Sequence, residues 1–193
     1  MTVMRDQVVK QLVTVEAKSN GDGLIPAFNV LVNQLPTAFW NTVAERMMAI
    51  VPPSRRQEME AALVNCAYEC GYHTGYGIIQ SPEFQSVVMP MVTEGAKDVL
   101  RGAFAVFTAW GWAKSGIVQL RDGERMVIRA VDYYEQESGG DGKRAFMIRG
   151  VSTAFMELAF SKPYPDGMGA FTCEQTRGVE TGDDYGEFVI TGK

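Results

Sequence analysis

The sequence predicts an α+β fold in which an antiparallel sheet packs against a helical layer. Three observations carry this. Apolar residues recur at helical spacing as far as Trp110, the period changes to that of strands after Gly111, and one further helical stretch stands between two hairpin signals. Helices followed by a hairpin, a helix and a second hairpin segregate helices to one face of an antiparallel sheet.

The elements follow in order. "MRDQVVKQLVTVEAK" carries Val8, Leu12 and Val15 at helical spacing, and "SNGDGLIP" breaks it. "TAFWNTVAERMMAIV" predicts a second helix with Phe39, Val43 and Met47 on one face, ended by Pro52 and Pro53. Ser54 and Gln57 spell a capping box, S-x-x-Q, that opens a long helix through "EMEAALVNCAYECGYHTGYG". Ser81 with Pro82 is a further helix start, with proline at the first helical position. "TEGAKDVLRGAFAVFTAW" predicts another long helix, apolar in its second half.

Beyond Gly111, "SGIVQLRDGERMVIRAVDYYEQ" predicts two strands joined through "RDGE". "ESGGDGK" is a glycine-rich loop. "AFMIRGVSTAFMELAF" returns to helical spacing, with Phe146, Val151, Phe155 and Leu158 near one stripe. "GMGAFTCEQTRGVE" and "YGEFVITGK" predict a closing hairpin around "TGDD".

Composition narrows the function classes. A chain of 193 residues suits one domain that needs no covalent staples. A net charge of −5 argues against a non-specific nucleic-acid binder, which needs a basic face to displace phosphate counterions. Cys66, Cys70 and Cys173 are too few and too unevenly spaced for a disulfide framework. The N-terminal residues lack the basic-then-apolar run of a signal peptide, and "GAFAVFTAWGWA" is far short of the ~20 residues that span a bilayer. The expectation is a cytoplasmic protein with reduced thiols and no membrane insertion.

Three clusters are candidates for chemistry. Cys66, Cys70 and His73 lie at i, i+4 and i+7 on one helix face, a partial ligand set for a thiophilic metal or a set of small packing residues. Gly71, Gly75 and Gly77 mark either close approach of a backbone or flat ligand, or the end of the helix. Phe104, Phe107, Trp110, Trp112, Tyr133, Tyr134, Phe146 and Phe155 come from separate segments. They form either a pocket for a planar ligand or an aromatic core. Nucleophile elbows, phosphate loops and dinucleotide motifs are absent from the sequence, and Asp183 and Asp184 read as solvated turn residues.

The second half resembles the 4-vinyl-reductase-like domain. The likeness rests on "FTAWGWAKSGIVQL", "RMVIRAVDYYEQ", "AFMIRGVSTAFMELAF" and "CEQTRGVETGDDYGEFVI", in that order. It divides the single domain 1–193 into a mainly helical part, 1–99, with dimerisation helices, and a 4-vinyl-reductase-like α+β part, 100–193. The resemblance implies the ligand-binding fold shared by nitric-oxide-signalling and Golgi-transport proteins, phenol sensors among them, and a homodimer with a hydrophobic pocket between helices and sheet. In the phenol-sensing branch a Glu and two Cys of the final hairpin hold zinc. Gln175, Gly178 and Gly186 stand in those places here, while Gly182 and Phe188 match. Zinc is therefore not expected in this hairpin.

The leading expectation is a binding protein for a small hydrophobic ligand, aromatic or tetrapyrrole-like. Tyr72, His73, Phe104, Phe107, Trp110, Trp112, Tyr133, Phe146 and Phe155 would contact it. One alternative is an enzyme or auxiliary factor in tetrapyrrole or aromatic metabolism that uses Cys66, Cys70 or His73. Another is a scaffold that acts through protein contacts alone.

Overall fold

A computed structural model describes residues 2–15, 18–32, 35–137, 142 and 145–193. The helices are α1 (Thr2–Leu12), α2 (Thr37–Ile50), α3 (Arg56–Ile79), α4 (Pro82–Val87), α5 (Ala96–Ala109) and α6 (Phe146–Phe160). The strands are β1 (Ile25–Ala27), β2 (Val30–Val32), β3 (Ala113–Arg121), β4 (Arg125–Tyr133), β5 (Phe171–Arg177) and β6 (Gly186–Gly192). The α+β expectation holds. Strands β3 to β6 form one antiparallel sheet in the order β3-β4-β6-β5, and β1 and β2 form a separate hairpin.

The sheet follows from alternation. Along β5, Phe171, Cys173 and Gln175 are buried while Thr172, Glu174 and Thr176 are exposed. Phe188 and Ile190 of β6 and Met126, Ile128 and Ala130 of β4 add to the same inner face. Helices α5 and α6 cover that face, and α3 packs over α6. The α3–α6 contact is close because Gly150 sits at the crossing. A Cβ there would lie 2.6 Å from the Tyr68 nitrogen and from Ala67 Cβ. A second apolar cluster gathers Val8 and Leu12 of α1, Phe28, Phe84, Val88 and Val106 around the outer side of α5.

Several local expectations are corrected. Helix α1 stops at Leu12, because the β-branched run Val13, Thr14, Val15 propagates a helix poorly; Val15 is exposed instead of joining Val8 and Leu12. Between β1 and β2, Phe28 and Asn29 adopt φ of 50° and 60°, giving a tight two-residue turn where only a break was expected. The capping box does not form. Pro53–Arg55 makes a 3-10 turn that absorbs Ser54, and α3 opens at Arg56 without a side-chain cap. Ser81, by contrast, caps α4, its Oγ accepting from the Phe84 N–H at 3.1 Å. Helix α3 runs unbroken through Gly75 to Ile79.

Phe39, Val43 and Met47 share a face of α2 without joining a core: Phe39 and Met47 are exposed, and Asn41 is the only buried residue of that helix. The segment 137–143 lies mostly outside the described residues. No helix among the described residues is long and apolar enough to cross a membrane.

Candidate functional site

Helices α3, α5 and α6 converge on a cavity of about 80 Å³. Cys70, Thr74 and Ile78, at i, i+4 and i+8 on α3, present one face to it. Helix α5 and the turn after it bring Phe107, Trp110 and Trp112, and α6 brings Met147, Val151 and Phe155. Glycines set this geometry. A Cβ on Gly71 would lie 3.0 Å from Val151 Cα, and one on Gly75 would lie 3.0 Å from the Phe155 ring. The close-approach reading of these α3 glycines is therefore the one that fits, with α6 as the partner.

The wall is aromatic and edge-packed. Phe107 lies 5.4 Å from Trp112 and 6.2 Å from Phe155, the latter pair at 81°. Trp110 meets the buried Phe28 edge-on at 4.8 Å. The polar lining atoms on α3 are the Cys70 Sγ and Thr74 Oγ1, 3.7 Å apart.

Of the nine residues expected to contact a ligand, Phe107, Trp110, Trp112 and Phe155 meet at this cavity. Phe104 stands behind Phe155, edge-on at 5.4 Å. Phe146 is buried at the start of α6. Tyr72 and His73 belong to another face of α3. The Tyr72 hydroxyl accepts from the Gly167 N–H at 3.0 Å, and Tyr164 stacks between Tyr72 and Tyr76. His73 Nδ1 pairs with the Tyr164 hydroxyl at 3.0 Å. These contacts fasten the segment after α6 onto α3. The sequence marks Cys70 as a metal or catalytic candidate or a small packing residue and gives no role to Thr74, yet the four-residue spacing of Cys70, Thr74 and Ile78 marks a shared face.

Below Tyr72, the fully buried carboxylate of Glu157 accepts from Tyr68 and from the N–H groups of Gly169 and Phe171, each backbone bond at 3.0 Å. Cys66 and Cys70 are exposed. Among the described residues no group of three or more His, Cys, Asp or Glu is arranged to hold a metal ion, the Cys66–Cys70–His73 set included.

Tyr133 lies at the final hairpin, away from the cavity. Its hydroxyl donates to Glu180 and accepts from the Val179 N–H at 3.0 Å. Gln175 Nε2 donates to the other Glu180 oxygen at 2.7 Å, and Gln175 Oε1 accepts from the Ala145 N–H at 3.2 Å. The space beside the two glycines is occupied. A Cβ on Gly178 would lie 2.7 Å from Gln175 Nε2, and one on Gly186 would lie 2.9 Å from the Tyr133 ring. Next to this network Glu135 is buried, its oxygens accepting from Met147 at 2.8 Å and Ile148 at 3.1 Å. Burial pushes its carboxyl up to about 8, against the lowering pull of those N–H groups.

This arrangement of layers has known counterparts. The fold is shared with a phenol-responsive sensory domain. That domain, from the transcription activator PoxR and solved with phenol, superposes with a TM-score of 0.72 at 12% identity, over 100% of this chain and 91% of its own. Trafficking protein particle complex subunit 3 from Naegleria fowleri, solved covalently bound to palmitic acid, aligns with a TM-score of 0.56 at 13% identity, over 81% of this chain and 92% of its own. No family model and no curated protein sequence matches the chain.

Proposed function

We propose that this protein binds a small aromatic molecule in the α3–α5–α6 cavity and acts as a homodimer. The observation that carries the reading is the cavity itself, where four aromatic side chains from α5, the following turn and α6 face the Cys70 thiol and Thr74 hydroxyl. Such a lining suits one planar ring with a single polar substituent. The phenol bound by the PoxR domain is a ligand of this kind.

Size narrows the ligand class. The cavity is about 80 Å³, against the ~150 Å³ of an engineered cavity that holds benzene. One ring enters if the partly exposed Met147, Trp110 and Trp112 give way, and methionine is an adaptable wall. A tetrapyrrole is several times too large, and so is the palmitoyl chain carried by the trafficking subunit.

Helix α2 supports the dimer. It exposes Phe39, Trp40, Met47 and Ile50, and Ile50 is 80% exposed. An apolar helix face of this kind is a candidate for a second copy. At the final hairpin the glycines bring no ligand atoms, so Gln175, Glu180 and Tyr133 close it in place of zinc.

Phenol titration followed by tryptophan fluorescence and calorimetry tests the cavity. Saturable binding, weakened about tenfold by Trp110→Ala and by Trp112→Ala with the fold retained, is the expected result. Wild-type affinity in both variants would sink the assignment. Native mass spectrometry reads the remaining claims. A monomer at micromolar concentration, stoichiometric zinc, or an acyl adduct on Cys70 would each overturn the corresponding part.

A further inference from the structure

A second cleft lies where edge strand β3 meets α1 and α5, separate from the aromatic cavity. It encloses about 270 Å³. Every ionisable side chain in its lining is basic: Arg5, Arg101, Lys114 and Arg129. That concentration stands out in a chain whose Asp and Glu outnumber its Lys and Arg by 23 to 18. The rest of the wall is largely apolar, from Phe104, Ile117, Val118 and Val131. Val118 and Val131 are 47% and 56% exposed. Gly116 opens the floor, since nothing lies within 4 Å of where its Cβ would be.

The three arginines are paired with carboxylates that lie outside the lining. Arg5 Nε donates to the Ser115 carbonyl at 3.1 Å, and Arg5 Nη1 reaches Asp6 at 3.2 Å. Arg101 Nη1 donates to Asp98 at 2.7 Å and Glu94 at 2.8 Å, and Arg129 Nε to Glu187 at 3.0 Å. These carboxylates offset part of the charge and fix the guanidinium groups, yet none of them lines the cleft. Lys114 sits across from Asp132 in the β3–β4 register and forms no ion pair among the described residues.

Two polar atoms of the lining residues are buried without a partner, the Ser115 hydroxyl and the Arg101 Nε. Ser115 is only 3% exposed. An unmet buried donor is costly, and an anion is the partner that would satisfy both while complementing Lys114.

We propose that this cleft binds a small organic carboxylate, its charged head beside Lys114, Ser115 and Arg101 and its apolar body against Val118, Val131 and Phe104. The volume fits a molecule smaller than the usual drug-sized ligand. Residues Trp110 and Trp112 take no part, so this site stands or falls independently of the ring-binding cavity.

Benzoate is the probe, titrated into isotope-labelled protein and followed by amide shifts, with benzyl alcohol and sulfate in parallel at matched ionic strength. Saturable shifts centred on Ser115, Gly116 and Val118 are expected from benzoate alone. Lys114→Gln, an exposed substitution, and Ser115→Ala, nearly isosteric, each weaken that binding about tenfold. Circular dichroism and a wild-type-like thermal unfolding transition establish that both variants are folded. Unmoved cleft amides overturn the proposal, as do equal shifts from benzyl alcohol, equal binding of sulfate, or wild-type affinity in both variants.

Discussion

Ala103→Leu is the sharpest perturbation of the aromatic cavity. Ala103 is buried on α5 and lines the space directly. Leucine adds three carbons, each close to the ~30 Å³ share of a water molecule, which together match the cavity of about 80 Å³. At ~24 cal/mol per Å³, leaving that cavity empty costs about 2 kcal/mol. Overpacking typically costs ~1–3 kcal/mol, so filling should leave net stability within about 2 kcal/mol of wild type and remove the room for a ligand. Phenol at a hundred times its dissociation constant stabilises wild type by ~2.7 kcal/mol. For a domain of this size that corresponds to a rise in Tm of about 5–10 °C. In Ala103→Leu the phenol-dependent shift should vanish, while the ligand-free Tm stays within about 8 °C of wild type. Differential scanning calorimetry with and without phenol reads both quantities. A folded Ala103→Leu protein that keeps the full phenol shift would falsify the placement of the ligand.

Three further outcomes follow from the buried polar groups and the hairpin. Glu135 has a folded-state pKa near 8, raised by burial above the ordinary carboxylate value, so its contribution to stability is fully present below about pH 4.5 and declines as pH rises towards 8. Chemical denaturation of Glu135→Gln should therefore show a flatter profile across that window, and an unchanged slope would contradict the burial argument. Glu157→Ala strands the Phe171 N–H and the Tyr68 hydroxyl proton and leaves the Gly169 N–H with the Tyr68 oxygen alone, and should cost about 3 kcal/mol, with Glu157→Gln less damaging because it keeps an acceptor. Gly186→Ala places a methyl 2.9 Å from the Tyr133 ring and 3.0 Å from the Phe188 ring, and should destabilise by about 1–3 kcal/mol in urea titrations. A neutral result there would mean that the ring pair moves freely.

The layers were legible in the sequence because their signals are local. The "RDGE" turn forms, with Gly123 at φ 68°, and the helical stripe of "AFMIRGVSTAFMELAF" buries Val151 and Phe155. What was missed depends on tertiary contact. Phe28 adopts a positive φ that no propensity favours, and it is held there fully buried with Trp110 against its ring. The candidate site was legible in residue type more than in direction. Aromatic density marks Phe107, Trp110, Trp112 and Phe155, which line the cavity, but two successive turns of α3 point their residues to two destinations. Cys70 and Thr74 face the cavity, whereas Tyr72 and Tyr76 face the segment around Tyr164. Helical spacing separates those faces, but only the position of α6 says which one meets the cavity.

The final hairpin is closed by polar side chains packed beside two glycines. Two cysteines and an acid joined through a metal would tie the turn to its strands at a single point. Here the same positions carry no sulfur, and their space is filled by larger neighbours. Gln175 bridges Ala145, Arg177 and Glu180, and Glu180 in turn receives the Tyr133 hydroxyl. Asp183 accepts from the Gly178 N–H at 2.9 Å, closing the acidic turn on itself. Each such bond contributes only ~0.5–1.5 kcal/mol, but together they reach β4, β5 and the entry to α6. Glycine at 178 and 186 is then what the network demands, since any side chain there would displace Gln175 or Tyr133. The glycines and the polar fill fit one another, and placing cysteine at either position would first have to break that fit.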